Sequence, residues 1–184
     1  MVYTKNVLTG PRFDVGVHTY GKIEVVGSVG RIKIGKYCSI AFGVKAIMHG
    51  HNTNWITTYP FSAENIELKK KWPEGRSIGG HPLNMGNINI GNDVWIGNDV
   101  TLLGGITIGD GAVIGANSVV AKNVSSYSII VGNPGTEVKK RFDQHTINCL
   151  QKIKWWDWSE HKIRKNLHLL CSSNLNEFVK KHMF

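Results

Sequence analysis

The chain has 184 residues, 41% of them apolar, and a formal net charge of +9 at pH 7. This composition is typical of one globular domain and gives no indication of disorder. No segment approaches the roughly 18 apolar residues of a membrane span, and the N-terminus lacks the apolar core of a secretory signal. We therefore predict a cytoplasmic protein without a membrane span.

The positive charge does not by itself identify a partner. The basic residues are dispersed and no nucleic-acid-binding motif accompanies them, so we predict no nucleic-acid partner. Cys38, Cys149 and Cys171 lack CxxC spacing, which indicates reduced thiols and neither a disulfide framework nor a zinc site.

A six-residue pattern begins early in the chain. Residues before about Gly30 are weakly patterned, and we interpret them as a less regular first part of the fold. The block from Ile34 to Ile40 then sets two isoleucines six residues apart, and Val44 and Ala46 continue the series. The same spacing returns, without interruption, in the second half of the chain.

Residues 49–86 interrupt this spacing, because the blocks on either side are out of phase by a number that is not a multiple of six. We predict that they leave the fold as a long excursion, and such loops in compact domains are usually functional. Tyr59-Pro60-Phe61 predicts an anchor in which proline fixes the backbone and the aromatic rings pack the excursion down.

An unbroken six-residue repeat runs from Ile88 to Val124. A period of six fits neither an α-helix nor a simple strand, but it fits a triangular coil with one inward aliphatic side chain on each of three short faces. The predicted fold is an all-β solenoid, a left-handed parallel β-helix, formed by residues 1–135 with the excursion. The inward positions are Ile90, Ile96, Leu102, Ile108, Ile114 and Val120.

Residues 136–184 change character and predict a C-terminal helical extension. Residues 136–142 are expected to begin a basic helical stretch, and helical spacing continues from Gln144 onward. Ser159 and Asn174 are candidate N-caps of two further helices. We predict that this extension caps the open end of the coil, as solenoids require.

Three segments carry a further pattern: residues 51–61, which end in Thr-Thr-Tyr-Pro-Phe; residues 90–97, which contain Gly-Asn-Asp-Val-Trp-Ile-Gly; and Gly-Asn-Pro at 132–134, followed by a basic run and Trp-Trp-Asp. Together they resemble the hexapeptide-repeat acyltransferases, in the branch of the streptogramin and chloramphenicol acetyltransferases and many sugar O-acetyltransferases. Asn52 and Asn54 replace the arginine and the acidic residue usual in that family, which leaves the acceptor open.

The resemblance implies an acetyl-CoA-dependent acetyltransferase that forms a homotrimer with active sites between subunits. His51 is implied as the general base, since an imidazole with an unperturbed pKa of about 6.5 is mostly neutral near pH 7 and can take a hydroxyl proton. His49 and His51 form a His-x-His pair, and His81 is the nearby third histidine. A zinc site needs more ligands, so we predict no metal.

Trp95 directly precedes an inward isoleucine and is predicted to point outward, where the resemblance implies that it lines the channel for coenzyme and acceptor. Trp55 and Tyr59 are the other predicted acceptor contacts. Small corner residues would let the pantetheine arm approach the backbone, and a basic run would meet the coenzyme phosphates. These predicted coenzyme contacts are Gly104, Gly105, Ala116, Asn117, Ser118, Lys139, Lys140 and Arg141.

Several functions stay open at this point. The leading hypothesis is acetyl transfer to a hydroxyl of a sugar or polysaccharide precursor. An antibiotic-inactivating O-acetyltransferase, acting on a streptogramin or chloramphenicol, and an amino-sugar N-acetyltransferase are the alternatives. A non-catalytic β-helix scaffold is the least favoured, because a scaffold has no need of an excursion that carries His51.

Overall fold

The computed structural model describes residues 2–183. Short strands dominate as far as residue 140, and helices follow. The strands are β1 (Phe13–Val15), β2 (Glu24–Val26), β3 (Ile32–Ile34), β4 (Ser39–Ile40), β5 (Lys45–Ile47), β6 (His49–Gly50), β7 (Leu83–Asn84), β8 (Ile88–Ile90), β9 (Trp95–Ile96), β10 (Thr101–Leu103), β11 (Thr107–Ile108), β12 (Val113–Ile114), β13 (Val119–Val120), β14 (Ser128–Val131) and β15 (Thr136–Lys140). The helices are α1 (Ile66–Lys71), α2 (Gln144–Ile153), α3 (Glu160–Leu170) and α4 (Leu175–Met183), with 3-10 turns at Thr4–Asn6, Pro73–Ser77 and Trp155–Asp157.

Most strands belong to three sheets. Sheet 1 has the order β1-β3-β8-β11, sheet 2 the order β15-β14-β12-β9-β4, and sheet 3 the order β13-β10-β5-β2. The chain visits sheets 1, 2 and 3 in turn through β3, β4 and β5, and it repeats this circuit in β8 to β10 and in β11 to β13. Neighbouring strands from successive circuits are parallel, apart from β15. This arrangement agrees with the predicted three-sided coil.

The core is a stack of aliphatic side chains inside this coil. On sheet 2, Ile40, Ile96 and Ile114 are aligned by strand register and are at most 3% exposed. Sheets 1 and 3 contribute matching columns that include Ile90 and Leu102. At roughly 25 cal/mol per Å² of apolar area buried, these columns are the main source of stability. The predicted inward positions are all buried.

Three corners join the sheets. The first corner, between sheets 1 and 2, contains residues 16–19, 35–38, 91–94, 109–112 and 125–127. Each circuit has a left-handed residue there, for example Tyr37 at φ 57° and Asp93 at φ 55°. At Gly111, with φ 67°, a Cβ would collide with the ring of Tyr127 in the next circuit, so position 111 requires glycine.

The excursion leaves from the third corner, between sheets 3 and 1. Its ends meet, because the backbone N–H of Met85 donates to the carbonyl of Met48 at 3.1 Å. Just beyond, β6 and β7 pair antiparallel as a short stem. The tip contains α1 and a cluster of Tyr59, Phe61 and Trp72 with ring centroids 4.7 to 5.7 Å apart. The chain thus leaves the coil here as an excursion, and its aromatic rings pack on one another at the tip. Their predicted role of packing the excursion down stays a prediction.

The prediction of a basic helix over residues 136–142 is wrong. Residues 136–140 form β15, which pairs antiparallel with β14 at the edge of sheet 2. The edge strand of the last circuit has unpaired backbone groups, and β15 satisfies them. The predicted caps are correct, since Ser159 accepts from the N–H of Lys162 and Asn174 accepts from the N–H of Glu177.

The helical unit, α2 to α4, packs along the first corner. Trp155 lies 4.9 Å from Tyr37 of the second circuit, and Gln151 donates to Ser126 of the last circuit at 2.8 Å. The apolar helix faces gather around Tyr127, which is 1% exposed. The predicted cap over the open end is not confirmed, because these contacts run along the side of the coil. Within residues 2–183, the helices are too short or too polar to cross a membrane.

Candidate active site

His51 directly follows β6 on the stem of the excursion, with its side chain exposed. Its Nδ1 lies 2.7 Å from the carbonyl oxygen of Thr58. A carbonyl oxygen only accepts hydrogen bonds, so this contact requires the proton of the neutral ring to be on Nδ1. Nε2 then carries a lone pair and is free to accept a proton from another molecule.

Two more histidines lie near His51. The His81 ring is perpendicular to that of His51, at 76° and 5.0 Å between centroids. His49 is on β6 and packs directly over Gly27 of the first circuit. Burial lowers the pKa of His81, and the charges of His51 and His49 when protonated lower it further. The described part of the chain contains no group of three or more side chains arranged to hold a metal ion.

Two of the three residues predicted for the acceptor, Trp55 and Tyr59, lie on the excursion, and the third, Trp95, lies on β9. The edge of the Trp55 ring is beside Gly80, and Asn52 donates to the carbonyl of Gly80 at 3.4 Å. The segment that follows His51 is thus held against the segment that precedes β7. The ring of Tyr59 is part of the aromatic cluster at the tip, and the side chain of Ile56 is fully exposed.

The predicted coenzyme contacts fall in two regions. Gly104 and Gly105 lie at the third corner, against Met85 and Gly86 at the base of the excursion. The other predicted corner residues, Ala116, Asn117 and Ser118, lie at the second corner, between sheets 2 and 3. Ser118 is fully buried and its hydroxyl accepts from the N–H of Gly132 at 3.0 Å, which is a structural contact.

Trp95 points outward from sheet 2, as predicted, and is 57% exposed. Strand register places it in one outward column with Val113, Ile129 and Lys139 of β15. With about 4.8 Å between strands, Trp95 and Lys139 are about 14 Å apart on this face.

The other two residues of the basic run are engaged within the chain. Lys140 donates to Ser128 at 2.7 Å and pairs with Glu137 at 3.3 Å. Arg141 donates to the carbonyl of Gly111 at 2.7 Å and lies 3.4 Å from the Asp93 carboxylate. Burial raises the pKa of Asp93 although Arg141 opposes the shift. Of the three basic residues, Lys139 is the one aligned with Trp95.

The contact between His81 and His51 was not predicted from the sequence. In the sequence, His81 stands out only as the third histidine near the His49–His51 pair, where it indicates a potential metal ligand. The sequence gives only a weak indication of this contact, because 29 residues separate the two histidines. Only the pairing of β6 with β7 reveals that they are neighbours.

A three-sided parallel coil with a six-residue repeat, interrupted by an excursion that carries a histidine, defines a hexapeptide-repeat transferase. Residues 87–122 match the family described as bacterial transferase hexapeptide (six repeats). Over 162 residues the chain is 46% identical to a probable macrolide acetyltransferase of Lysinibacillus sphaericus, covering 86% of this chain and 87% of the relative. It is 41% identical over 150 residues to a chloramphenicol acetyltransferase of Klebsiella aerogenes, covering 80% and 69%.

A galactoside acetyltransferase in complex with coenzyme A has a similar structure, with a TM-score of 0.51 and 26% identity. The match covers 73% of this chain and 58% of that one, so it spans less than two thirds of the solved chain. The protein belongs to the hexapeptide-repeat acetyltransferases, the family that the motifs predicted. It is an acyltransferase with acetyl-CoA as co-substrate, and its repeat implies a left-handed β-helix.

Proposed function

We propose that the protein transfers the acetyl group of acetyl-CoA to a hydroxyl of an antibiotic, with His51 as the general base. The observation that carries this proposal is the 2.7 Å contact between His51 Nδ1 and the Thr58 carbonyl. It fixes the tautomer in which Nε2 is the proton acceptor, and it orients a ring that is otherwise open to solvent.

The proposed reaction is a direct transfer. Nε2 of His51 takes the proton of the acceptor hydroxyl as the oxygen attacks the thioester carbonyl of acetyl-CoA. The tetrahedral intermediate collapses with cleavage of the C–S bond, and the CoA thiolate leaves. The imidazolium returns its proton to that thiolate, so the products are the acetyl ester and CoA, with His51 restored.

The site is proposed to form between two copies of the chain. Trp95 and Lys139 are on the outer face of sheet 2, where a coenzyme could lie along the wall with its phosphates toward Lys139. His51 belongs to the third corner, on the other side of the same coil. One chain therefore cannot bring its own His51 to its own Trp95, whereas a neighbouring copy in a trimer can.

The choice of acceptor rests on two observations. The excursion exposes apolar side chains, including Ile56 and Ile78, which favour an acceptor with apolar surface over a free sugar. The curated relatives reported above are also named as antibiotic acetyltransferases. The hydroxyl of a sugar, the leading candidate from sequence, is the second proposal because the similar solved structure is a galactoside acetyltransferase.

His51→Ala should lower kcat on a hydroxyl acceptor by about 10² to 10⁴-fold, the usual contribution of a positioned base. The coil should stay folded and the KM for acetyl-CoA should stay unchanged, since His51 lies on the excursion. Steady-state kinetics and circular dichroism measure both. His49→Ala is the matched control and should lose much less activity. Near-normal kcat in His51→Ala would contradict the assignment.

An acceptor screen tests the substrate. Release of CoA thiol is followed with acetyl-CoA and, in turn, a macrolide, chloramphenicol, a streptogramin, simple glycosides, nucleotide sugars and an amino sugar. We expect the highest kcat/KM with one of the antibiotics. A glycoside or nucleotide sugar with a higher kcat/KM than all three antibiotics would establish the second proposal instead.

A further inference from the structure

The stem of the excursion brings His81 beside His51. Strands β6 and β7 pair His49 with Asn84 and Gly50 with Leu83. Continuing this antiparallel register puts Pro82 opposite His51, and His81 is the next residue along the chain, with its ring centroid 5.0 Å from that of His51. Beyond the stem, the side chain of Asn52 donates a hydrogen bond to the carbonyl of Gly80, so the two segments stay in contact there.

Glycine at position 80 is required for this approach. Its φ of 99° lies in the left-handed region, and a Cβ would come 3.0 Å from Cζ2 of Trp55. Trp55 and Gly80 thus hold the two segments close together, and His81 is carried next to the proposed base.

The two contacts of His51 constrain different motions. A single hydrogen bond from Nδ1 to Thr58 still lets the ring rotate about the line that joins the two atoms. The perpendicular ring of His81, 5.0 Å away, blocks that rotation on one side. With both contacts, the range of directions open to Nε2 is restricted.

His81 can restrict the ring of His51 without opposing its protonation only if His81 is uncharged. When His51 takes the proton of the acceptor it becomes an imidazolium, and a second positive ring at 5.0 Å would oppose that step. Burial, then the charges of His51 and His49, lower the pKa of His81, so it is neutral when His51 works as a base.

We propose that His81 is a positioning residue whose neutral ring forms a wall against His51 and keeps Nε2 directed at the acceptor. This inference rests on the proposed role of His51 as the general base. It requires the ring of His81 and not its nitrogen atoms, because a flat side chain of similar size can form the same wall.

The experiment compares His81→Ala with His81→Phe. In His81→Ala, kcat on a hydroxyl acceptor should fall between about tenfold and a hundredfold, the cost of a misdirected group, with the KM for acetyl-CoA unchanged. In His81→Phe most of this loss should be recovered, since the phenyl ring replaces the wall. His161→Ala, an exposed position on α3, is the control and should behave as the wild type.

A second readout does not depend on turnover. The ¹⁵N shifts of the His51 ring report which nitrogen carries the proton. We expect the Nδ1–H tautomer in all three proteins, because the hydrogen bond to Thr58 sets it, and exchange broadening of the His51 ring signals, caused by ring rotation, in His81→Ala only. This readout is independent of the proposed function, which fails if His51→Ala stays active.

Two results would overturn the proposal. One is a wild-type kcat, or His51 ring signals as sharp as in the wild type, in His81→Ala. The other is an equal loss of kcat in His81→Ala and His81→Phe, which would show that the nitrogens of His81 matter and not its ring.

Discussion

Trp95 is an indole left 57% exposed on an otherwise regular β-sheet face. The backbone of β9, the strand that carries Trp95, is paired with β4 and β12 on its two sides. The exposed ring therefore has no role in the coil itself. An aromatic side chain in such a position is typical of a binding surface. On the same face, Lys139 supplies a positive charge about 14 Å away, on the scale of an elongated anionic coenzyme.

Trp95→Ala should raise the KM for acetyl-CoA or for the acceptor by about tenfold, equivalent to about 1.4 kcal/mol of binding free energy. The proposed role of the ring is to contact the ligand, and the exposed ring adds nothing to the core, so the assembly should stay intact. Steady-state kinetics with gel filtration measures both effects. Val113→Ala, one strand away in the same column, is the control and should change KM little.

Loss of the assembly in Trp95→Ala with unchanged kinetics for each folded site would contradict the binding role. Trp95 would then be an interface residue that packs two subunits together.

At the scale of elements, the first corner and the helical unit meet around Tyr127. Its ring lies 5.8 Å from Phe142 and under the guanidinium of Arg141, at 5.4 Å. Among the described residues its hydroxyl has no hydrogen-bond partner, although the side chain is 1% exposed. A buried hydroxyl without a partner costs free energy, because it has lost its water.

Tyr127→Phe should therefore stabilise the protein by about 1 kcal/mol, since it removes the hydroxyl and keeps the ring packing. Urea unfolding at fixed protein concentration measures the free energy of unfolding. Tyr37→Phe is the control on the same corner, where the side chain is partly exposed, and should change stability by less than about 0.5 kcal/mol. A Tyr127→Phe protein that is less stable than the wild type would show that the hydroxyl is satisfied.

Elements defined by the repeat could be predicted from the sequence. The inward residues Ile90, Ile96 and Leu102 follow from a period of six alone, because each circuit must bury one aliphatic side chain on each face. The helix caps at Ser159 and Asn174 could also be predicted, since an N-cap is a local contact.

Strand β15 could not be predicted, because its cause is not local. Residues 136–140 alternate too briefly to indicate a strand, and their lysines suggested a helix. Their conformation is set by the open edge of β14, which exists only once the coil has formed. The position of the helical unit has a similar cause, since the sequence indicates apolar helix faces but not the surface that they cover.

Part of the candidate site could likewise be predicted from the sequence, and part could not. His51 and Trp95 were predicted because both occur in motifs with a resemblance to a known family. Trp95 points outward as expected, and the catalytic role of His51 stays a prediction. The contact with His81 depends on the pairing of β6 with β7 across a 38-residue excursion, and no spacing in the sequence encodes it.

For the whole molecule, the coil has two kinds of outer surface. Sheet 1 faces outward with polar side chains that include Asp14, Lys33 and Asn89. Sheet 2 and the second corner expose Trp95 and Phe42, the latter 87% exposed. Phe42 has the most exposed aromatic ring among the described residues and favours an interface here, and closed symmetry is the usual outcome for identical chains.

Sedimentation equilibrium at micromolar concentration should give a mass three times the 20.4 kDa of one chain. Phe42→Glu should shift the protein toward monomers, because it places a charge in the proposed interface, and the fold should be retained by circular dichroism. Asn89→Glu on sheet 1 is the control and should remain trimeric. A wild-type protein that sediments as a monomer would rule out the shared active site.

The closure of the excursion by the hydrogen bond between Met85 and Met48 has a consequence for how such an enzyme can diversify. This hydrogen bond joins the part of the coil before residue 49 to the part after residue 86, whatever the length or sequence of the segment between them. Doubling the length of a loop costs only about 0.6 kcal/mol in closure entropy. Mutation, deletion or insertion can therefore remodel the excursion, the proposed acceptor segment, while sheet 2, the proposed coenzyme surface, keeps its geometry. Under this proposal, the choice of acceptor can change without any change in the coil.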